Sequence, residues 1–186
     1  MEKPSLETRS GLPEHLRVLA DLYPRADWET HPNFSDLTGF WLSRHGMFRE
    51  LIARLQDSSN QFLDSTHPRF GAELSHYTRL FLDQLHGHHS IEDNHYFPKF
   101  TGLDGRLEHG FELLDADHHA LDRHIHDLAE STNLVLQDLQ SGNDAKTATQ
   151  ALLARQKTFD SFLERHLTDE EDLIVPLVLE YGPEID

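Results

Sequence analysis

At two places in this chain, a histidine and the glutamate four residues after it lie on one stripe with apolar residues at helical spacing. The first pair, in HHSIEDNHYFP, is His88 and Glu92, and the second, in HLTDEEDLIVP, is His166 and Glu170. Positions four apart lie on the same face of an α-helix, one turn above the other. An imidazole nitrogen and a carboxylate oxygen from such a pair can reach one cation. The two copies therefore predict two helices that carry metal ligands on one face.

Apolar residues recur at helical spacing in four long segments of the chain. We predict helices that begin near residues 35, 71, 111 and 144 and end near residues 63, 97, 140 and 179. Pro98 is expected to end the second helix, and Pro176 to bend or end the fourth. The connections are short, and no useful stretch alternates with the period of a strand. The sequence predicts an all-α fold, an up-down-up-down antiparallel four-helix bundle with a short N-terminal helical extension.

The domain organisation follows from the same segments. A chain of 186 residues has the size of one domain with its own core. We expect residues 1–34 to form an N-terminal extension, frayed at its polar start and with a short helix over residues 13–22. Residues 35–180 are expected to form the bundle, and residues 181–186 a tail.

Composition excludes several classes of function. The 16 lysines and arginines against 33 acidic residues give a net charge of −17, which argues against binding nucleic acid or an anionic membrane surface. The absence of cysteine excludes disulfides, thiolate nucleophiles and thiolate metal sites. No apolar run approaches the ~18 residues of a membrane span, and the start lacks a signal peptide, so a cytoplasmic location is expected.

Each long helix places one histidine on its apolar face, and two of the helices add a glutamate there. Six such donors are too many for one tetrahedral zinc ion but suit two ions bridged by the carboxylates, with positions left for a small ligand. Nitrogen and oxygen donors favour iron, with manganese and zinc as alternatives. The competing interpretation is a set of histidines hydrogen-bonded in an ordinary core. The six candidates are His45, His88, Glu92, His118, His166 and Glu170.

The motifs HHSIEDNHYFP, DADHHALDRHI and HLTDEEDLIVP resemble those of the hemerythrin-like, HHE cation-binding domains, and RHGMFREL fits the histidine of their first helix. The resemblance covers about residues 36–179. It implies a four-helix bundle around a non-haem centre, usually of two irons. Carried over residue by residue, it implies as metal ligands His45, His88, Glu92, His118, His166 and Glu170.

One departure from the family pattern concerns the third helix. Oxygen-carrying hemerythrins have two histidines four residues apart there, whereas the positions four away from His118 are Leu114 and Asp122. One iron would lack a histidine unless another moved in, and this argues against a simple reversible oxygen carrier. The histidines available for that place are His89, His95 and His119.

Neighbouring residues leave further alternatives open. By helical angle, His118 is favoured over His119, and Glu170 over Glu171. His89 lies about 100° round the helix from His88, so it is as readily an outer or surface residue as a ligand. Trp41 is expected to be a core residue.

Two glycines adjoin proposed ligands in the middle of helices. Gly46 and Gly87 each lower the stability of their helix by about 1 kcal/mol relative to alanine. They either allow close helix approach, open a path for a small molecule, or are merely tolerated.

The function that the sequence favours is that of a hemerythrin-like di-iron protein that binds or senses a small ligand such as O2, NO or peroxide. The alternatives are a di-iron enzyme acting on peroxide or nitric oxide, and an iron storage or delivery protein. The sequence does not decide whether the protein is an enzyme, nor its oligomeric state. Metal is expected to be lost as the pH falls toward the ordinary histidine pKa of about 6.5, because protons compete for the imidazoles.

Overall fold

The computed structural model describes residues 5–65 and 67–182, and this part of the chain is helical without strands. The prediction of an all-α helical bundle is confirmed. The predicted frayed start falls partly, and the predicted tail mostly, outside the described residues. The boundaries at 34/35 and 180/181 stay a prediction. The α-helices of the described residues are α1 (Asp36–Asp64), α2 (Phe70–Ile91), α3 (Phe97–Thr101), α4 (Glu108–Gln140) and α5 (Lys146–Tyr181).

Local sequence signals set the start of two long helices. The Ser35 hydroxyl accepts a hydrogen bond from the Thr38 backbone N–H at 3.2 Å, which caps α1. The Asp144 carboxylate accepts from the Lys146 backbone N–H at 3.0 Å just before α5. Gly142 supplies the left-handed conformation of the preceding turn, with φ of 71°. Both helix starts lie close to the positions predicted from the sequence.

The second helix does not end at Pro98, so that prediction was wrong. A wide π-helical turn, Glu92–Tyr96, follows α2 directly and is closed by the Phe97 N–H donating to the Glu92 carbonyl. Pro98 then lies in the first turn of α3, which reaches Thr101. Proline has no N–H to donate, and the π turn interrupts the ordinary helix ladder immediately before it. Helix α5 likewise continues past Pro176 to Tyr181, so Pro176 does not end it.

The N-terminal segment contains less helix than predicted. In place of a helix over residues 13–22 it forms a 3-10 turn, Glu14–Leu16, and a second 3-10 helix follows at Arg25–Thr30. The buried side chains of Leu16 and Trp28 lie in these two turns. Short 3-10 turns suit a connecting segment that must bury widely spaced apolar side chains.

The chain divides into two compact units. The first comprises the described residues through Gly46, His88–His119, and the chain from Glu164 onwards; the second comprises Met47–Gly87 and Ala120–Leu163. In the first unit, leucines of the N-terminal segment pack with aromatic and aliphatic side chains of the helices. The buried members of this cluster are Leu12, Leu16, Leu19, Phe97, Phe100, Leu107, Phe111, Leu113, Leu114, Leu173, Ile174 and Leu177.

The second unit has an aromatic core. The ring of Phe81 lies 6.4 Å from that of Phe48 and 5.5 Å from that of Phe159, edge to face in both cases. A partly buried hydrogen bond of 2.9 Å runs from Gln56 Nε2 to Asp160 Oδ2 in the same unit. Aromatic pairs of this geometry contribute about 0.5–1.5 kcal/mol beyond their buried area.

Candidate metal centre

Four buried side chains in the first unit form one group of candidate metal ligands. They come from α1, α2, the π turn and α5, and their donor atoms all lie within 4.8 Å of one another. The Nε2 atoms of His45 and His88 are 3.1 Å apart, and His88 Nε2 is 3.0 Å from Glu92 Oε1. We call this the His45 group; its members are His45, His88, Glu92 and Glu170.

Three buried histidines form a second group in the same unit. His118 and His166 bring their Nε2 atoms to 3.2 Å. The ring of His89 stacks on that of His118, with centroids 4.0 Å apart and planes at 13°. We call this the His89 group; its members, from α2, α4 and α5, are His89, His118 and His166.

The two glutamates each approach histidines of both groups. Glu92 places Oε1 3.0 Å from His88 Nε2 and Oε2 3.7 Å from His118 Nε2. Glu170 Oε2 lies 3.3 Å from His166 Nε2 and 3.8 Å from His45 Nε2. Carboxylates in this position suit a bridging role between two cations.

Burial shifts the pKa values of two histidines and both glutamates in the direction that favours the neutral side chain. It lowers the pKa of His88 to about 2 and, together with the neighbouring imidazoles, holds that of His89 well below its ordinary value. Burial also raises the pKa of Glu170 to about 7, and burial with the charge of Glu170 raises that of Glu92 well above the usual range. Neutral imidazoles have the free lone pairs that metal binding needs.

Several polar atoms of the centre are buried without a hydrogen-bond partner. They are both ring nitrogens of His89, Glu92 Oε2, and both carboxylate oxygens of Glu170. Each orphaned atom costs about 1–3 kcal/mol when nothing satisfies it. A pair of cations would satisfy the carboxylate oxygens and one ring nitrogen of His89, whose other nitrogen carries the imidazole proton, and would supply the missing counter-charge. The donor set therefore fits two metal ions bound by nitrogen and oxygen.

Three histidines direct their Nδ1 atoms to carboxylates outside the donor groups. His45 Nδ1 lies 3.0 Å from Glu171 Oε1, and His118 Nδ1 lies 2.7 Å from Asp93 Oδ1. A proton held on Nδ1 by such a carboxylate leaves Nε2 free as a donor to a metal. The third pair, at 3.4 Å, is His166 Nδ1 with Asp117 Oδ2.

Trp41 contributes to the centre as well as to the core. Its indole Nε1–H donates to Glu92 Oε1 at 3.0 Å, and its ring lies 5.1 Å from that of His45. The sequence interpretation of Trp41 as a core residue missed this bond. Trp41 lies one turn before His45 on α1, and that spacing was the available signal.

All six candidate residues from the sequence are buried, and the two groups include every one of them. Their role as ligands stays a prediction. The seventh member, His89, was left open between ligand, outer residue and surface residue, and the structure buries it against His118. His95 and His119 are exposed. The missing histidine on α4 indicated that another histidine was needed, but the sequence did not favour His89 over His95 or His119.

Helices that bring five histidines and two glutamates together in a buried cluster define an all-α protein with a site capable of holding metal. The family model described as the hemerythrin HHE cation binding domain matches residues 36–178. The chain therefore belongs to the hemerythrin HHE cation-binding family. Comparison with curated proteins and with solved structures gave no match.

Proposed function

We propose that the centre holds two iron ions and that the protein binds or senses a small ligand such as O2, NO or peroxide. The observation that carries this proposal is the sharing of two carboxylates by two donor groups. Seven side chains serve two ions, whereas an octahedral ion takes about six ligands. Even with both glutamates bridging, coordination positions remain for a small molecule. Iron bound there would supply those positions and a change of oxidation state.

The chain's own side chains prepare the site for such a ligand. The donor residues are between 0% and 8% exposed, which keeps bulk water away from the centre. Three carboxylates face the Nδ1 atoms of donor histidines, and Asp93, which faces His118, is the most exposed of them. Its side chain is 32% exposed, against 5% for Glu171 and 3% for Asp117. Asp93 therefore links the Nδ1 atom of His118 to solvent.

The donor chemistry supports iron over the alternatives. All seven side chains offer nitrogen or oxygen, and the chain has no cysteine to supply a thiolate. Imidazole with carboxylate and open positions suits non-haem iron, while a closed tetrahedral set would suit structural zinc. Loading with Mn(II) or Zn(II) in place of Fe(II) tests the two alternatives.

Anaerobic loading with Fe(II) tests this proposal directly. Two irons per chain are expected, followed by a change in the visible spectrum on adding O2, NO or hydrogen peroxide. The matched variants are His118→Gln, which removes a buried donor, and His119→Gln, which changes its exposed neighbour. Loss of one iron is expected only in the first. Two irons with no spectral response to any of the three ligands would contradict ligand binding and favour storage or delivery.

The same experiment separates binding from catalysis. Sustained consumption of peroxide or nitric oxide by the iron-loaded protein, but not by the apo-protein, would identify the di-iron enzyme instead. A stoichiometric change that reverses on removing the ligand supports a binding or sensing role.

No helix in the described part of the chain has both the length and the apolar character required to cross a bilayer. The cytoplasmic location stays a prediction from the sequence. The expected absence of nucleic-acid binding stays one too, and it rests on the net charge of −17.

A further inference from the structure

The N-terminal segment lies outside the residues that match the family model, yet two of its arginines reach the metal centre. The family match begins at residue 36. Arg9 and Arg25 precede it and contact carboxylates that in turn face histidines of the centre. These contacts are unexplained by the donor groups alone.

Arg9 is buried against two aspartates. Its Nη1 donates to Asp117 Oδ1 at 2.7 Å, its Nη2 donates to Asp117 Oδ2, and its Nε donates to Asp169 Oδ2 at 2.7 Å. The Arg9 side chain is only 3% exposed. Asp117 Oδ2 also lies 3.4 Å from His166 Nδ1.

Arg25 makes a parallel set of contacts. Its Nη1 donates to Glu171 Oε2 at 2.6 Å, its Nε to Asp172 Oδ1 at 2.8 Å, and its Nη2 to the Thr168 carbonyl at 2.9 Å. The other oxygen of Glu171, Oε1, lies 3.0 Å from His45 Nδ1. The guanidinium carbon is 4.8 Å from the centre of the Trp28 ring, which restrains it further.

The two chains of contacts end on different donor groups. Arg9 acts through Asp117 on His166, a member of the His89 group. Arg25 acts through Glu171 on His45, a member of the His45 group. Arg9 holds the Asp117 carboxylate with two donors in a fixed plane. Arg25 holds Glu171 with one donor, and its other nitrogens are fixed by Asp172 and the Thr168 carbonyl. Each carboxylate is therefore restrained from turning away from its imidazole.

We propose that the N-terminal segment is part of the metal centre, with Arg9 and Arg25 as positioning residues that each secure one of the two ions. Each arginine fixes a carboxylate, and the carboxylate fixes the ring orientation and the Nδ1 proton of one histidine. This inference rests on the proposed pair of metal ions. Removal of such an outer partner typically costs 10–100-fold in metal affinity.

Metal retention tests the proposal with three glutamine variants of one segment. Arg9→Gln and Arg25→Gln each remove one positioning side chain. Arg17→Gln is the matched control, because Arg17 is 47% exposed and pairs with Asp21 on the surface. After loading with two Fe(II) ions and addition of a chelator, each positioning variant is expected to lose one ion about 10–100-fold faster than the control. Retention of both ions at the control rate would overturn the proposal.

Imidazole resonances of the apo-protein identify which histidine each arginine holds. In 15N-labelled apo-protein, Arg9→Gln is expected to shift the Nδ1 signal of His166 and to leave that of His45 unchanged. Arg25→Gln is expected to do the reverse. Unshifted signals in both variants would overturn the proposal. Because no metal is present, this measurement tests the contacts of the arginines independently of iron binding. Failure of the wild-type protein to bind two irons would refute the proposed function and would leave this result unaffected.

A second pair of variants separates positioning from folding. Arg9→Lys keeps the charge but lacks the planar guanidinium that binds both aspartates. Its rate of metal loss is therefore expected to lie between those of the wild type and of Arg9→Gln. If Arg9→Gln does not fold, Asp117→Asn weakens the same contacts at the carboxylate that joins Arg9 to His166. It is expected to release one ion as much faster than the control as was expected for Arg9→Gln. Normal retention in Asp117→Asn would contradict the proposal.

Discussion

At the scale of single residues, burial favours the neutral form of both acids and bases in the metal centre: His88 and His89 on one side, Glu92 and Glu170 on the other. Burial lowers the pKa of His88 to about 2 and raises that of Glu170 to about 7. A cation must therefore displace protons from the carboxyl groups and none from His88 near neutral pH. This changes the expectation from the sequence, in which imidazole protonation near pH 6.5 sets the pH of metal loss.

The pH dependence of metal affinity is the first prediction. A carboxyl group binds a cation only when ionised, so the apparent affinity should fall as the pH drops below about 7, the pKa of Glu170. The expected slope is about tenfold per pH unit for each carboxyl group that must lose a proton. Titration with metal between pH 5.5 and 8, with proton release recorded, checks this. Glu170→Gln should flatten the slope, and an affinity that is constant below pH 7 in the wild type would contradict the prediction.

The second prediction concerns His89, whose two ring nitrogens are buried without partners. In His89→Leu the orphaned atoms disappear, so the apo-protein should gain about 1 kcal/mol or more in free energy of unfolding. The same change should reduce the metal stoichiometry from two to one. Denaturant unfolding and metal analysis measure the two effects.

His119→Leu is the matched control for that variant, because His119 is exposed on α4. It should keep two metals and change stability little. A destabilised apo-protein in His89→Leu would show that the imidazole has a structural partner and would contradict the prediction.

At the scale of elements, the π turn after α2 explains how neighbouring residues serve different roles. Within Glu92–Tyr96, the first residue approaches both donor groups while the next, Asp93, faces His118 Nδ1. A π turn inserts one residue into the helical register, and such turns often occur at functional sites. Hydrophobic periodicity follows the ordinary α-helical spacing, so the sequence contained no signal that located this insertion.

Two helical glycines of the first unit allow a third, matched prediction. A Cβ added at Gly46 would have nothing within 4 Å, whereas one at Gly110 would lie 2.7 Å from Leu173 Cδ1. Close helix approach therefore does not explain Gly46, in contrast to one suggestion from the sequence. Gly46→Ala should gain up to about 1 kcal/mol from helix propensity. Gly110→Ala should lose about 1–3 kcal/mol through overpacking.

Thermal unfolding of the two alanine variants, followed by circular dichroism, measures both effects. Equal shifts of the midpoint in the same direction would contradict the packing argument. Slower ligand entry in Gly46→Ala, without a stability change, would instead support the path for a small molecule.

The sequence predicted the helices and the clustering of six donor residues because both follow from local spacing. Apolar periodicity located α1, α2, α4 and α5, and one histidine on each face placed the candidates inside. The inward position of His89 depends on how α2 is rotated, which a helical angle of about 100° from His88 does not decide. The contacts of Arg9 and Arg25 span more than a hundred residues, so no local pattern could indicate them.

At the scale of the whole molecule, both donor groups lie in the first of the two compact units. A ligand that binds only the folded state stabilises it by about 2.7 kcal/mol at a concentration of 100 times Kd. Our fourth prediction is that metal loading slows amide hydrogen exchange more in the first unit than in the second. Exchange followed by mass spectrometry on apo- and metal-loaded protein measures this. Equal protection of the two units would show that they open together and would contradict the prediction.

Both donor groups take a member from α5: Glu170 completes one and His166 the other. During synthesis on the ribosome, the donor histidines of α1 and α2 emerge more than 70 residues before His166 and Glu170 of α5. A nascent chain therefore has neither set of donors assembled until α5 has left the exit tunnel. Metal can therefore occupy the complete centre only after α5 has been made and has folded against the other helices that carry donors.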